Sequence, residues 1–412
     1  MKALAQNPEE GLIDPHRPST FSRADVVAKL HLLTLTPFYP SELNEVNGCF
    51  VAEPLREVQR RGVTSSVMAV APIYHRERRS SHAFPAGWIR YLQLPGNFGL
   101  SSAGDLLAAA IRRKVRDLHR HSPIDVIHSH AALPCGLAAN VISNELGIPF
   151  VVTVHGLDIF HGCYESGAAA KWRKRASVKV YENARKVICI SGKVQQLIAS
   201  EMGPSVATEV VYNGADTELF SPPLVDQSAA ETAPTILMVG NLLAAKGHEL
   251  VLSSIARLKD SYPALRCNII GDGIDRNRFI KLATDLGLRD RVHFLGRRNR
   301  SEVAEAMRTC TIFVLPSRNE GLGCVYLEAM ACAKPVVACH AQGIDEIIRH
   351  GSNGWLIPAE GLDELQQALH VLLANAELRT KIGESARKTI AGRLSIRHQA
   401  EALHKIYMEA AQ

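Results

Sequence analysis

Two glutamates, Glu320 and Glu328, stand with seven residues between them in Glu320-Gly321-Leu322-Gly323-Cys324-Val325-Tyr326-Leu327-Glu328. Paired carboxylates first suggest an acid and a base. The glycines beside Glu320 let backbone N–H groups approach a ligand closely, and a helix starting near Leu322 turns its positive dipole end toward an anion. Phosphate is the natural guest of such a turn. At about 100° per residue, Glu328 shares a helix face with Cys324, Ala331 and Cys332, and it is the only charge between Cys324 and Ala333. Taken singly, Glu328 reads as part of a solvated helix face and Glu320 as a charge favouring a helix N terminus. The pair in this setting is more specific than either residue.

Other strand ends carry unusual residues. The segment 240–247 leaves a strand and enters a helix with Lys246 as its sole cation, a placement suited to a diphosphate. Gly271-Asp272-Gly273 permits close backbone approach, and Phe294-Leu295-Gly296 ends a strand where a base could lie. Four successive strand ends, at 240–247, 271–273, 294–297 and 316–323, therefore suit one close-lying ligand. Further upstream, His128, His130 and His155 fall at strand ends, where a histidine can orient a hydroxyl or meet developing charge. For His128, polar packing is the plainer role. The spacing of His128 and His130 lacks carboxylate partners at zinc-ligand spacing, so no metal site is expected. The chain also lacks G-x-S-x-G, a Walker loop, G-x-G-x-x-G and an Asp-x-Asp pair. Phosphate must then be held by backbone, helix dipole and Lys246, with no cofactor required.

The elements that must position these residues alternate along the chain. A strand over 30–36 leads into a loop reaching Asn47-Gly48, then a helix to about residue 61 and a strand over 64–71. The segment 72–104 is rich in Ser, Pro, Gly and aromatics; too long for a simple connection, it reads as a substrate-facing loop. Helices at 105–120, 134–146, 169–184 and 192–201 then alternate with strands at 125–128, 149–154, 186–190 and 209–212. A second series has strands at 235–239, 266–270, 291–295, 311–315, 335–338 and 355–358. Helical segments near 361–374, 376–391 and 395–411 close the chain. Such β/α repetition implies parallel sheets covered on both faces, two Rossmann-like domains with a cleft between them. The expected divisions are a polar extension over 1–28, a first domain over 29–220, a linker over 221–234, a second domain over 235–394 and a last helix over 395–412.

Composition narrows the class. An apolar fraction of 46% with 21% charge over 412 residues is that of a folded globular protein of two or three domains. No apolar run reaches the roughly 18 residues that a membrane span requires, and residues 1–28 lack the apolar core of a signal peptide. A cytoplasmic location is expected. Nine cysteines without a C-x-x-C pair read as small buried hydrophobes. Basic residues bunch at 76–79, at 112–116 and at 171–175 around Trp172. A solvated helix face accounts for such bunches most simply, and contact with anionic membrane is the functional alternative.

These motifs together resemble the retaining glycosyltransferases of the GT-B fold, in the large family 4 group, over roughly residues 30–390. The likeness is carried by Glu320-Gly-Leu-Gly to Leu327-Glu328-Ala-Met-Ala-Cys and Lys334-Pro-Val-Val. It is supported by 240–247, Ile270-Gly-Asp-Gly, Phe294-Leu-Gly, Val211-Tyr-Asn-Gly-Ala-Asp216 and Asp125-Val-Ile-His. The resemblance implies that Glu328 grips the ribose of a nucleotide-sugar donor, that Glu320 touches the donor sugar and that Lys246 neutralises the leaving diphosphate. It also implies that His155 contacts the sugar and that Gly48 lets its loop lie against the phosphates, with Asn241, Gly271, Leu295, Gly321, Leu322, Gly323 and Cys324 lining the donor site. The last helix is expected to cross back to the first domain. Asn241 stands where many members have arginine, which leaves Arg276 or Arg318 to supply that cation. A UDP-sugar donor, a glycan or lipid-linked acceptor at the inner face of the plasma membrane, and no nucleic-acid partner complete the expectation. An epimerase or phosphorylase of the same fold, or a catalytically idle nucleotide-sugar-binding protein, are the alternatives. A nicotinamide oxidoreductase is disfavoured by the missing glycine fingerprint.

Overall fold

The computed structural model describes residues 30–42, 44–74, 85–93, 100–156, 167–202, 206–223 and 233–412. The expected extension over 1–28, the basic run 76–79 and most of the expected linker fall outside them.

Seven strands form the first sheet: β1 (His31–Thr36), β2 (Thr64–Pro72), β3 (Gly87–Tyr91), β4 (Val126–His130), β5 (Phe150–Val154), β6 (Lys186–Cys189) and β7 (Thr208–Val210). They are all parallel, in the order β3-β2-β1-β4-β5-β6-β7. The connecting helices are α1 (Cys49–Arg60), α2 (Leu100–His121), α3 (Leu137–Leu146), α4 (Ala168–Asn183) and α5 (Gly192–Met202). A second parallel sheet holds β8 (Thr235–Val239), β9 (Arg266–Ile270), β10 (Val292–Gly296), β11 (Ile312–Val314), β12 (Val336–Cys339) and β13 (Trp355–Ile357). Its order is β10-β9-β8-β11-β12-β13. With it go α6 (His248–Leu258), α7 (Arg276–Asp285), α8 (Arg300–Thr309), α9 (Cys324–Ala331), α10 (Leu362–Ala374) and α11 (Ala376–Arg393). Strands β1, β4, β5, β11 and β12 are buried at every residue, and β5, β11 and β12 accordingly read as largely apolar runs without alternation.

In both sheets the order reverses beside the first strand of its series, at β1/β4 and at β8/β11. Ligands of open parallel sheets bind beyond the carboxyl ends of the strands at such switch points. The loops after β1, β8 and β11 therefore occupy the expected positions for a site.

The last helix, α12 (Ile396–Ala410), belongs by packing to the first domain. Its Leu403, Ile406 and Tyr407 join Leu55 and Val58 of α1 in one buried cluster, each large side chain there worth roughly 1.5–3 kcal/mol of burial. Ser395 caps this helix by accepting from the His398 amide. Reciprocal bonds between Ala215 and the 394–396 backbone, at 2.9 and 3.0 Å, splice it to the first domain.

Two expectations change. The segment 72–104 is not simply a loop: it contains edge strand β3, and α2 begins at Leu100, because Trp88, Ile89 and Tyr91 give 87–91 enough apolar character to pair with β2. The helix expected over 134–146 is split, with a wider turn at Ala132–Gly136 before α3, where Pro134 cannot donate to a regular ladder.

Candidate active site

The loop from β11 to α9 brings Glu320 against the loop from β8. Gly247 ends a short 3₁₀ turn, Ala244–Lys246, with φ 73°. A Cβ there would come within 2.3 Å of the Pro316 carbonyl oxygen, so glycine lets the two loops touch. Lys246 Nζ consequently pairs with Glu320 Oε2, and Ser317 Oγ donates to the same oxygen at 3.2 Å. The Glu320 amide donates to Gln342 at 2.8 Å. Helix α9 starts at Cys324, two residues later than the sequence suggests, because Gly323 adopts φ 79° as its N-cap. No side chain caps that end, and its amides face the same turn.

Glu328, five residues into α9, is buried. It takes a hydrogen bond on Oε1 from Arg300 Nη1. Arg300, which opens α8, also grips Glu53 of α1 in a fork, Nε to Oε1 at 3.0 Å and Nη2 to Oε2 at 2.8 Å. The guanidinium lies 4.6 Å from the ring centre of Phe220. Burial pushes the Glu53 carboxyl up to about 7 even though Arg300 draws it down. Against its own desolvation, Glu328 and Glu53 hold the Arg300 guanidinium well above its ordinary value. The sequence reading missed Arg300 and Glu53. Arg300 at the helix start after one strand and Glu53 in the helix after another were the available signal, but nothing local pairs them.

Opposite, the first domain contributes histidines. His155, just beyond β5, meets His130 of β4, Nε2 to Nδ1 at 2.9 Å, with the rings stacked at 5.2 Å. Phe50 packs against His155 at 4.8 Å between centroids. His128 is bridged between Thr153 Oγ1 and the Tyr407 hydroxyl, each at 2.7 Å, which is the polar packing role. Desolvation pushes His128 and His155 down to about 3 and His130 well below its ordinary value. All three are neutral at pH 7. A cavity of about 20 Å³ among Thr34, His128, His130, Thr153, His155 and Tyr407 has room for about one water.

The domains meet through more contacts that the sequence did not announce. Ser191 Oγ donates to the Gly321 carbonyl at 2.6 Å, and the first amides of α5 donate to Glu346 at 2.8 and 2.6 Å. Lys193 Nζ reaches Gln342 at 3.1 Å and the Ala341 carbonyl. Burial lowers its pKa while Glu320 and Glu346 oppose the fall.

The remaining expected site residues divide. Gly48 has φ 76°, and a Cβ on it would strike the Phe38 carbonyl carbon at 2.3 Å; glycine is required by the loop's own turn. Gly271 packs on Gly240, whose oxygen would be 1.9 Å from an added Cβ. Asn241 is exposed and its carbonyl accepts from Leu243 at 2.9 Å. Leu322 is fully buried, so its side chain serves the core and leaves only backbone for a ligand. Leu295 packs against the core from β10. Cys324 accepts from Asn213 across the domains at 3.4 Å. Arg318, one of the two substitute cations, instead pairs with Glu360 on the rim; Arg276 lies at the first turn of α7.

Residues 50–219 match the family model Glycosyltransferase Family 4, and residues 224–389 match Glycosyl transferases group 1. The α-D-kanosaminyltransferase of Streptomyces kanamyceticus is 30% identical over 338 residues, 77% of this chain and 85% of that one. The chain belongs to glycosyltransferase family 4. This glycosyltransferase is also 30% identical to the D-inositol 3-phosphate glycosyltransferase of Corynebacterium jeikeium over 304 residues, 69% of the chain and 72% of the relative. In fold it matches the sucrose-phosphate synthase of Thermosynechococcus elongatus, with a TM-score of 0.76 at 19% identity over 92% and 99% of the two chains. Anabaena HepE, solved with UDP and glucose, gives 0.74 at 22% identity over 92% and 100%. Both likenesses establish the GT-B fold.

Proposed function

We propose that the glycosyltransferase moves a sugar from a nucleoside-diphosphate sugar, UDP-linked by preference, to a hydroxyl of a glycan or lipid-linked saccharide, with retention of anomeric configuration. The observation that carries this reading is the set Lys246, Glu320 and the uncapped start of α9 on one turn, facing the neutral histidines across the cleft. Lys246 and the α9 amides receive the diphosphate, Glu320 meets the donor sugar and Glu328 its ribose. Charge that develops on the departing phosphate is met by groups already fixed in place.

A histidine held near pKa 3 is a poor base at neutral pH. His155, its Nε2 engaged by His130, orients the sugar instead. Glu320, already paired with Lys246, is likewise a grip rather than a base. The bond from the anomeric carbon to the phosphate oxygen breaks with its electron pair leaving on the diphosphate. The acceptor oxygen attacks the same face, and its proton passes to the departing phosphate oxygen. No metal or cofactor enters this scheme.

An acceptor in surface-polysaccharide synthesis at the cytoplasmic membrane face is part of this proposal, and one observation supports it: α2 and α4 pack together and expose Arg112, Arg113, Lys114, Arg116, Lys171 and Trp172. A panel of sugar nucleotides, read by nucleotide release with and without acceptor, tests the function. Transfer from a UDP-sugar is expected; release of free sugar or sugar phosphate without acceptor would favour an epimerase or phosphorylase, and no turnover of any donor would leave a binding protein. Co-sedimentation with anionic vesicles tests the membrane contact.

A further inference from the structure

The fork of Arg300 on Glu53 joins the two domains, and the same guanidinium holds the glutamate read above as the ribose grip. Three features separate this from an incidental ion pair. All three side chains are at most 15% exposed, so each charge has left water and must be met by a partner. The guanidinium uses three different nitrogens on two carboxylates and is covered on one face by Phe220, which removes its freedom to rotate. Arg300 occupies one oxygen of Glu328, Oε1, and among the described residues no hydrogen bond falls on the other.

We infer that Arg300 is a positioning residue for ribose recognition: it fixes the Glu328 carboxylate in one rotamer with one oxygen presented to the donor, and Glu53 fixes Arg300 from the opposite domain. This rests on Glu328 being the ribose grip. A carboxylate held in this way accepts from a ribose hydroxyl in a charge-assisted bond. Because Glu53 lies on α1 and Glu328 on α9, the grip takes its final shape only when the two domains are together. Lysine could not replace the fork, having one nitrogen for two partners.

Ribose discrimination tests this directly, since a merely structural arginine would weaken all nucleotides alike. UDP, ADP and GDP are titrated calorimetrically against their 2′-deoxy counterparts, with inorganic diphosphate as the phosphate-only probe. Wild-type protein should prefer the ribonucleotide by about 10-fold or more, the worth of a hydrogen bond to a charged group. Arg300→Met should shrink that preference to about 2-fold while diphosphate affinity stays within about 2-fold of wild type. Arg300→Lys should recover little of it. Arg300→Met leaves two carboxylates without a cation, so Glu53→Gln/Arg300→Met, which removes one of them, is measured beside it and should show the same narrowing. Undiminished preference in either Arg300→Met variant would overturn the proposal. A wild-type protein that bound nucleoside diphosphates without ribose preference would overturn the role of Glu328 and this inference with it, leaving glycosyl transfer standing. Binding of no nucleoside diphosphate at all would overturn the functional reading itself.

Discussion

At and near the strand ends of the first sheet, His130 bonds to His155, and His128 to Thr153 and to Tyr407. At the strand ends of the second, Glu320 and Glu328 each hold a cation, Lys246 and Arg300. Both groups are withdrawn from water, yet they answer burial differently. The histidines shed their charge, because an imidazole can become neutral at modest cost. The arginine and lysine cannot do so as readily, and carboxylates stay beside them as counter-ions. One wall of the site is thus polar without charge, and the other is charged in pairs.

Breaking the charged wall should have the largest effect. Lys246→Ala is expected to lower nucleotide release by about 100- to 1000-fold with the thermal midpoint within a few degrees of wild type; wild-type kinetics would remove Lys246 from the chemistry. The neutral wall should matter differently. His155→Ala is expected to lower kcat about 100-fold with nucleotide affinity unchanged, and an equal fall in affinity would show that both walls hold the nucleotide.

The two walls also respond to pH in opposite senses. His128 and His130 stay neutral in the fold but protonate in the unfolded chain below its ordinary value of 6.5. Their contribution is therefore full above about pH 6.5 and declines as pH falls toward 3, by about 1.4 kcal/mol per pH unit for each histidine. Glu53, raised to about 7, contributes fully below its ordinary carboxylate value and loses that contribution as pH rises through about 7. Urea unfolding between pH 5 and 8 checks both signs. His128→Gln should reduce the rise of stability with pH below 6.5 by about one histidine's share, and Glu53→Gln should remove the opposing fall between about pH 4.5 and 7 and so steepen the net rise there; an unchanged slope in either variant would show that the group does not titrate as described.

The smallest expected effect sharpens the boundary of the neutral wall. Tyr407→Phe removes the hydroxyl from His128 and should cost about 1–2 kcal/mol of stability, with kcat within about 2-fold of wild type. A large loss of activity would extend the site through His128 to the last helix.

Much of this arrangement was legible beforehand. The alternation of apolar runs with amphipathic stretches showed two β/α series, and the strand ends at 240–247 and 316–323 marked where Lys246 and Glu320 stand. Edge strand β3 was obscured by the serine- and proline-rich residues around it, which dominate local propensity. Leu322 illustrates a different limit. Position in a motif says that its backbone lies at the site, but only packing shows that its side chain points into the core.

From the sequence alone follow the α/β architecture, the paired sheets and the presence of a carboxylate and a lysine at neighbouring strand ends with a second carboxylate in the helix that follows, since periodicity and turn residues are local properties of the chain. Which cation meets which carboxylate was decided by tertiary structure. Lys246 and Glu320 are 74 residues apart, and Arg300 and Glu53 are 247 apart on different domains. Such pairings depend on how two sheets and a returning helix close on each other, and on the desolvation that makes each buried charge need its partner. The neutrality of the histidines has the same origin: their spacing placed them at strand ends, and only burial in the fold removed their charge.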